Sequence, residues 1–361
     1  MRQDFIKAFN KAADGSQLTR ADLTVLLQAQ AGEEEAKLFE LADAVRQKNF
    51  GNAVHLRGII EFSNFCRNDC HYCGLRRSNR AIRRYRIPLP EIVATAKYAA
   101  DLGYGTIVLQ AGEDPAYSGE QLAEMIRQVK EAGDFAVTVC VGERSRRDYE
   151  LMREAGADRY LLKHETADAA LFAGLRPGTS LAERIKRLKW LRELGYQVGS
   201  GNMVGLPGQT VETLADDLLL LKELDVEMAG IGPFIPHHQT PLKDSPAGDL
   251  KQTLKTLAVA RILLPQTHLP ATTAIGTLHP AGRRMALACG ANVIMPNLSP
   301  AGYRQLYQIY PEKAGSKENP EESHEKIARL VKEAGRYIST GRGDSPKEIF
   351  KKSPDTWAGE R

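Results

Sequence analysis

The chain is 361 residues long, 42% hydrophobic and 26% charged, the make-up of an ordinary globular protein, which excludes wholesale disorder, collagen-like repeats and a small disulfide scaffold. No apolar run approaches the roughly 18–20 residues that span a bilayer, the first residues hold no apolar core of signal-peptide length, and a formal net charge of +4 is too mild to argue for nucleic acid. The expectation is a cytoplasmic protein with no membrane and no nucleic-acid partner.

Residues 1–50 read as a helical extension. Ser16 to Asp22 offers a helix start, and Leu23, Leu26 and Leu27, then Leu38, Leu41, Ala42 and Val45, fall at helical spacing. From 51 to 310 short β-rich runs alternate with longer amphipathic ones. Strands are expected at 56–62, 106–110, 136–141, 160–163, 197–203, 228–233, 270–274 and 292–295. Helices are expected at 90–102, 119–132, 181–194, 210–224, 249–263 and 281–289, several ending in a glycine suited to a left-handed cap (Gly103, Gly133, Gly156, Gly195). Eight strands, nearly all followed by a helix, predict an α/β fold, a closed (β/α)8 barrel of the TIM type; an open doubly wound sheet shares the alternation but not the count. Residues 311–361 turn polar and read as a surface loop, a helix over 321–337 and a loosely held end from Thr340.

Five cysteines occur in the chain, and Cys66, Cys70 and Cys73 fall together, directly after the first barrel strand. Loops after barrel strands form the active face. Three thiolates on one short loop suit three corners of a [4Fe–4S] cube, leaving the fourth iron without a protein ligand and free to bind something else. A structural zinc site needs four ligands, usually as two separated pairs; His71 would have to be the fourth, yet it adjoins Cys70. Three unrelated structural thiols are the other alternative. Cys140 and Cys289 are isolated and read as buried small hydrophobes.

The spacing C-x3-C-x-aromatic-C after the first strand resembles the signature of radical S-adenosylmethionine (SAM) enzymes. Longer blocks narrow the resemblance: residues 66–77 (CRNDCHYCGLRR), 106–115 (TIVLQAGEDP), 155–166 (AGADRYLLKHET), 203–210 (MVGLPGQT), 230–237 (GIGPFIPH), 270–276 (PATTAIG) and 290–297 (GANVIMPN). Together they resemble the biotin-synthase-like group, and within it the HydE-type iron–iron hydrogenase maturation proteins. The resemblance implies one [4Fe–4S] cluster on Cys66, Cys70 and Cys73 and a bound SAM, reductively cleaved to a 5′-deoxyadenosyl radical. It implies that Tyr72 meets the adenine through its backbone, that Gly112 and Glu113 lie in the stretch that accepts from the SAM ammonium, that Glu165 contacts the cofactor and that Arg184 binds its carboxylate. Ala111 replaces the first glycine of the family's Gly-Gly-Glu-like stretch, but backbone carbonyls accept whatever the side chain. Lys163 stands where the family is expected to have Arg, so the charge survives without the fork.

By the same resemblance Lys163, Thr272 and Thr273 hold the substrate, a small cysteine-containing iron complex whose sulfur the radical attacks. Partner maturases and an electron donor are implied. Met203 and Met228 are either a soft cavity wall or core. Arg67, Arg76, Arg77, Arg80, Arg83, Arg84 and Arg86, with Asp69 the one acid among them, form a basic segment that is structural, neutralises the cluster, docks an acidic partner or is simply solvated. The rival functions are another radical reaction on the same scaffold, such as sulfur insertion or a carbon-skeleton rearrangement, and a non-catalytic iron–sulfur carrier. Some HydE-type proteins hold a second cluster on late cysteines; none follows Cys289 here, so one cluster is expected.

Overall fold

The computed structural model describes residues 1–350. Its strands are β1 (Ala53–Leu56), β2 (Gly58–Ser63), β3 (Thr106–Ala111), β4 (Ala136–Cys140), β5 (Arg159–Leu161), β6 (Gln197–Ser200), β7 (Met203–Val204), β8 (Met228–Ala229), β9 (Gly232–Pro233), β10 (Val293–Ile294) and β11 (Tyr337–Ser339). Strands β2, β3, β4, β5, β6 and β8 form a six-stranded parallel sheet in that order. Parallel bridges then carry the ring round, from Met228 to His268, from Pro270 to Val293 and from Asn297 back to Ile59. The barrel is therefore closed, and eight chain segments make its wall. Helices lie outside and supply the apolar faces that cover the strands.

Two expected strands break in the middle, 197–203 at Gly201 and 228–233 at Gly230, because the two backbones meet there. A Cβ on Gly201 would lie 2.2 Å from the Gly230 carbonyl oxygen. The seventh strand is shorter than expected: its ladder is confined to His268 and Pro270, and a helix, Thr273–Leu278, begins within the 270–274 span expected as strand. Thr272 is the N-cap of that helix, accepting from Ile275 N at 3.4 Å. Helices Arg146–Glu154 and Ala169–Leu175 escape a periodicity search; the first fully buries only Tyr149 and Met152 and, Leu151 apart, is otherwise charged. Gly133, expected as a left-handed cap, is not among the positive-φ residues, whereas Gly103, Gly156 and Gly195 are.

Three helices, α1 (Gln3–Asp14), α2 (Arg20–Leu27) and α3 (Glu33–Phe50), precede the barrel. The Thr19–Asp22 capping box starts α2. They pack on barrel helices Val211–Glu223 and Leu250–Leu263. At the other end of the chain, β11 adds in parallel to β1, and the following residues cross the lower end of the barrel. Residues 340–350 were expected to be loosely held; instead Asp344 pairs with Arg159 at 2.6 Å, Arg342 with Asp158 at 2.7 Å and Lys347 with Glu227 at 2.9 Å. The part of that expectation covering 351–361 lies outside the described residues. Among the described residues no helix is long and apolar enough to cross a membrane.

Candidate active site

A cavity of about 370 Å³ opens at the C-terminal ends of the strands. Cys66, Cys70 and Cys73 line one side of it. Their loop leaves β2 at Ser63, whose hydroxyl donates to Asp114 Oδ2 at 2.6 Å. Arg84 holds the loop from behind, donating to the carbonyls of Asn64, Leu75, Arg76 and Asn79. Gly112, just past β3, lets the loop approach: a Cβ there would lie 2.2 Å from Phe65 O and 2.9 Å from Cys66 Cβ.

Burial pushes the Cys66 thiol up, Cys70 up to about 11 and Cys73 higher still, and the neighbouring thiols add to the rise at Cys70 and Cys73. Three desolvated thiols in mutual repulsion hold their protons at neutral pH unless a cationic metal centre replaces them. Among the described residues no three Cys, His, Asp or Glu side chains converge on one point as ligands of a single ion do. Three thiols on one loop suit three irons of a cube, whereas a structural zinc needs a fourth ligand. His71, which would have to be the fourth zinc ligand, is not among the cavity-lining residues.

Charged groups alternate around the thiols. Arg176 donates to Tyr72 Oη at 3.0 Å and to Glu113 Oε1 at 3.4 Å, and Arg67 reaches Glu113 Oε2 at 3.2 Å. Burial alone would raise the Glu113 carboxyl, but Arg176, backbone donors and Arg184 hold it below its usual range. Arg184 donates through Nε to Glu143 Oε1 at 2.6 Å and through Nη1 to Lys163 O, while its buried Nη2 has no partner. The solvated-helix alternative for Arg184 is thereby removed: the side chain is 2% exposed and lines the cavity. Arg176 Nε is likewise buried and unpartnered. Two guanidinium edges without partners beside three thiols suit an anionic cluster and a carboxylate-bearing ligand.

Glu165 and Lys163 leave β5 on one side of the strand, 3.4 Å apart, and both line the cavity. Glu165 has φ 66, a strained value for a residue with a side chain, held by Glu165 N to Gly201 O and Met203 N to Glu165 O. Below that turn Asp217 accepts from Ala167 N and Asn202 Nδ2, and burial pushes it up to about 7. Tyr72 packs against a small apolar cluster of Leu175, Met203, Leu206 and Phe234. Thr272 and Thr273 also line the cavity, and Arg283 donates to Thr273 Oγ1 at 3.4 Å. Every residue proposed from the sequence for cluster, cofactor or substrate thus borders one chamber.

Met203 and Met228 line it too, as does Cys140, which is half-buried in the cavity wall rather than a core hydrophobe. Sequence reasoning missed Arg176, Arg283 and the buried Glu61–Lys313 pair, all cavity-lining. Lys313 comes from the loop after 310, where no motif marks it. Arg176 follows a helix too short to register.

Comparison with known proteins agrees with this geometry. The Radical SAM superfamily model matches residues 60–221. The [FeFe] hydrogenase maturase subunit HydE of Thermotoga maritima is 56% identical over 276 residues, 76% of this chain and 79% of that protein. The 3-methylornithine synthase of Methanosarcina acetivorans is 31% identical over 294 residues, 81% of this chain and 83% of that protein. The crystal structure of methylornithine synthase (PylB) superposes with a TM-score of 0.81 at 27% identity, covering 92% of this chain and 97% of that one. The maturase HydG from Carboxydothermus hydrogenoformans also gives 0.81, at 21% identity, over 94% of this chain and 80% of that one; this second likeness is one of fold.

Proposed function

The chain belongs to the radical SAM superfamily, in its biotin-synthase-like group, and we propose that it acts in assembling the active-site cofactor of an iron–iron hydrogenase. The observation that carries this is the single chamber in which three thiols, a free Arg184 edge and Lys163 face one another. The 56% identity to a hydrogenase maturase supports the biological role.

In this reading Cys66, Cys70 and Cys73 hold one [4Fe–4S] cluster. Arg184 Nη2 takes the SAM carboxylate. Gly112 O and Glu113 O already accept from Asp114 N and Arg67 N, and each keeps a second lone pair for the SAM ammonium. Glu165 faces the same ligand, and Tyr72 closes the adenine side with the apolar cluster behind it. Bound together, cluster and SAM supply a 5′-deoxyadenosyl radical by one-electron reductive cleavage of the sulfonium bond. Met203, Met228 and Phe234 keep water from that side of the chamber. Lys163, Thr272 and Thr273 orient the substrate, a small cysteine-containing iron complex supplied by a partner maturase, so that its sulfur is the atom attacked. The cytoplasm, where thiols stay reduced, is the compartment we assign.

Anaerobic reconstitution tests the site. Wild-type protein should gain visible iron–sulfur absorption, release 5′-deoxyadenosine from SAM under reduction and, with partner maturases, activate hydrogenase. Cys66→Ser, Cys70→Ser and Cys73→Ser should each abolish 5′-deoxyadenosine release, and turnover in any of them would overturn the cluster assignment. The methylornithine synthase likeness favours a second reading, a carbon-skeleton rearrangement. Cleavage of SAM without hydrogenase activation would move the assignment there.

A further inference from the structure

The segment from Arg67 to Arg86, which runs through and past the cysteine loop, carries charge that the chamber does not use. Of its seven arginines, Arg67 and Arg86 pair with Glu113 and Asp114, and Arg76 and Arg77 share Asp69. Arg84 is occupied by backbone carbonyls. Arg80 and Arg83 are exposed, and their side chains make no hydrogen bond or ion pair among the described residues. These seven guanidinium groups meet only three carboxylates, one of which, Glu113, is shared with Arg176 as well, so the segment carries a local excess of positive charge.

The position of this surplus is specific. Arg77 N donates to Asn68 O at 2.8 Å, between Cys66 and Cys70, and Asn79 Nδ2 donates to Gly74 O at 2.7 Å, one residue from Cys73. The arginine loop is therefore laid directly on the cysteine loop, and Arg77, Arg80 and Arg83 are not among the residues that line the chamber. Arg77 is 67% exposed on that face. SAM cleavage consumes an electron that must enter from outside, and electron transfer falls steeply with distance, so its donor has to dock beside the cysteine loop.

We propose that Arg77, Arg80 and Arg83 form the docking surface for an acidic one-electron carrier protein. The inference rests on the cluster assignment above. In the step it serves, the carrier is oxidised by one electron and the cluster reduced by one; no bond forms or breaks. A localised positive field steers such a partner and raises its association rate, with an effect that salt screens. Charge steering without a large apolar contact suits a partner that must leave after each transfer.

The test is reduction of the reconstituted, oxidised cluster, followed by its visible bleaching, with two reductants: a small acidic flavoprotein in its hydroquinone form, and dithionite. The variant is Arg80→Glu/Arg83→Glu. The control is Arg329→Glu/Lys332→Glu, which changes net charge equally but on exposed positions of helix Pro320–Glu333. At low salt the first variant should lose about tenfold or more in the second-order rate with the flavoprotein, while its rate with dithionite, a small anion of far lower charge, falls much less, its absorption spectrum stays as in the wild type and the control stays near wild type. A wild-type flavoprotein rate in the first variant, or an equal loss in the control, would overturn the proposal. Wild-type protein that takes up no iron–sulfur cluster would instead overturn the cluster assignment, so the two failures are distinguishable.

Discussion

Arg176 lies 3.0 Å from Tyr72 Oη and 3.4 Å from Glu113 Oε1, and its charge acts on all three thiols. It is 7% exposed, so water screens it poorly. Reducing a cluster held there adds a negative charge beside this cation, and the cation favours the reduced form. Arg176→Gln is expected to shift the cluster midpoint potential to more negative values in an EPR-monitored titration, with Arg176→Lys falling between. An unchanged potential in the Gln variant would show that Arg176 serves only to hold Tyr72 and Glu113. No spacing rule finds this residue: it lies more than a hundred positions from the cysteines, beyond a seven-residue helix, Ala169–Leu175.

At the scale of elements, the meeting of the cysteine loop with the turn after β3 fixes the site. Gly112 is required there by space rather than by φ, since a methyl group would sit 2.2 Å from Phe65 O. That oxygen is backbone and cannot swing aside, so Gly112→Ala must displace the cysteine loop. The expected cost is about 1–3 kcal/mol of stability, read by thermal unfolding, together with a lower iron content after reconstitution. Retention of both full iron content and wild-type stability would mean the loop has more freedom than these contacts allow. The sequence did announce this element: AGED after a β run places a glycine and an acid at a strand end. What it withheld was the partner across the gap, because contact between positions 65 and 112 leaves no local pattern.

At the scale of the whole molecule, the barrel's lower end is closed by its own C-terminal segment. Arg57 and Arg159 are buried side by side in the barrel floor, and Asp344 is the carboxylate that faces them. Burial would raise the Asp344 carboxyl, but Arg159, Gln197 and Arg342 hold it below its usual range. A carboxylate with a lowered folded pKa contributes stability that is complete above the unfolded value, near pH 4, and fades as pH falls through the folded value. Asp344→Asn should therefore lower the thermal midpoint at pH 7, by a free energy of about 1–3 kcal/mol, below that of a fully buried pair because the Asp344 side chain is 36% exposed and solvent screens it. It should also flatten the loss of stability below about pH 4. A variant with the wild-type midpoint and acid limb would show that the floor does not depend on this ion pair.

The order of the eight barrel strands and most of the helices between them, and the cysteine loop, were determined by the sequence alone, because apolar periodicity and residue spacing are local properties of a chain. The shortened seventh strand, the firmly anchored residues after Thr340 and the convergence of Arg176, Arg184, Arg283 and Lys313 on one chamber were decided only by tertiary structure. These depend on which distant segments meet when the barrel closes. A buried charge is tolerated only where a partner or a ligand from elsewhere in the chain compensates it, and no local pattern records that partner.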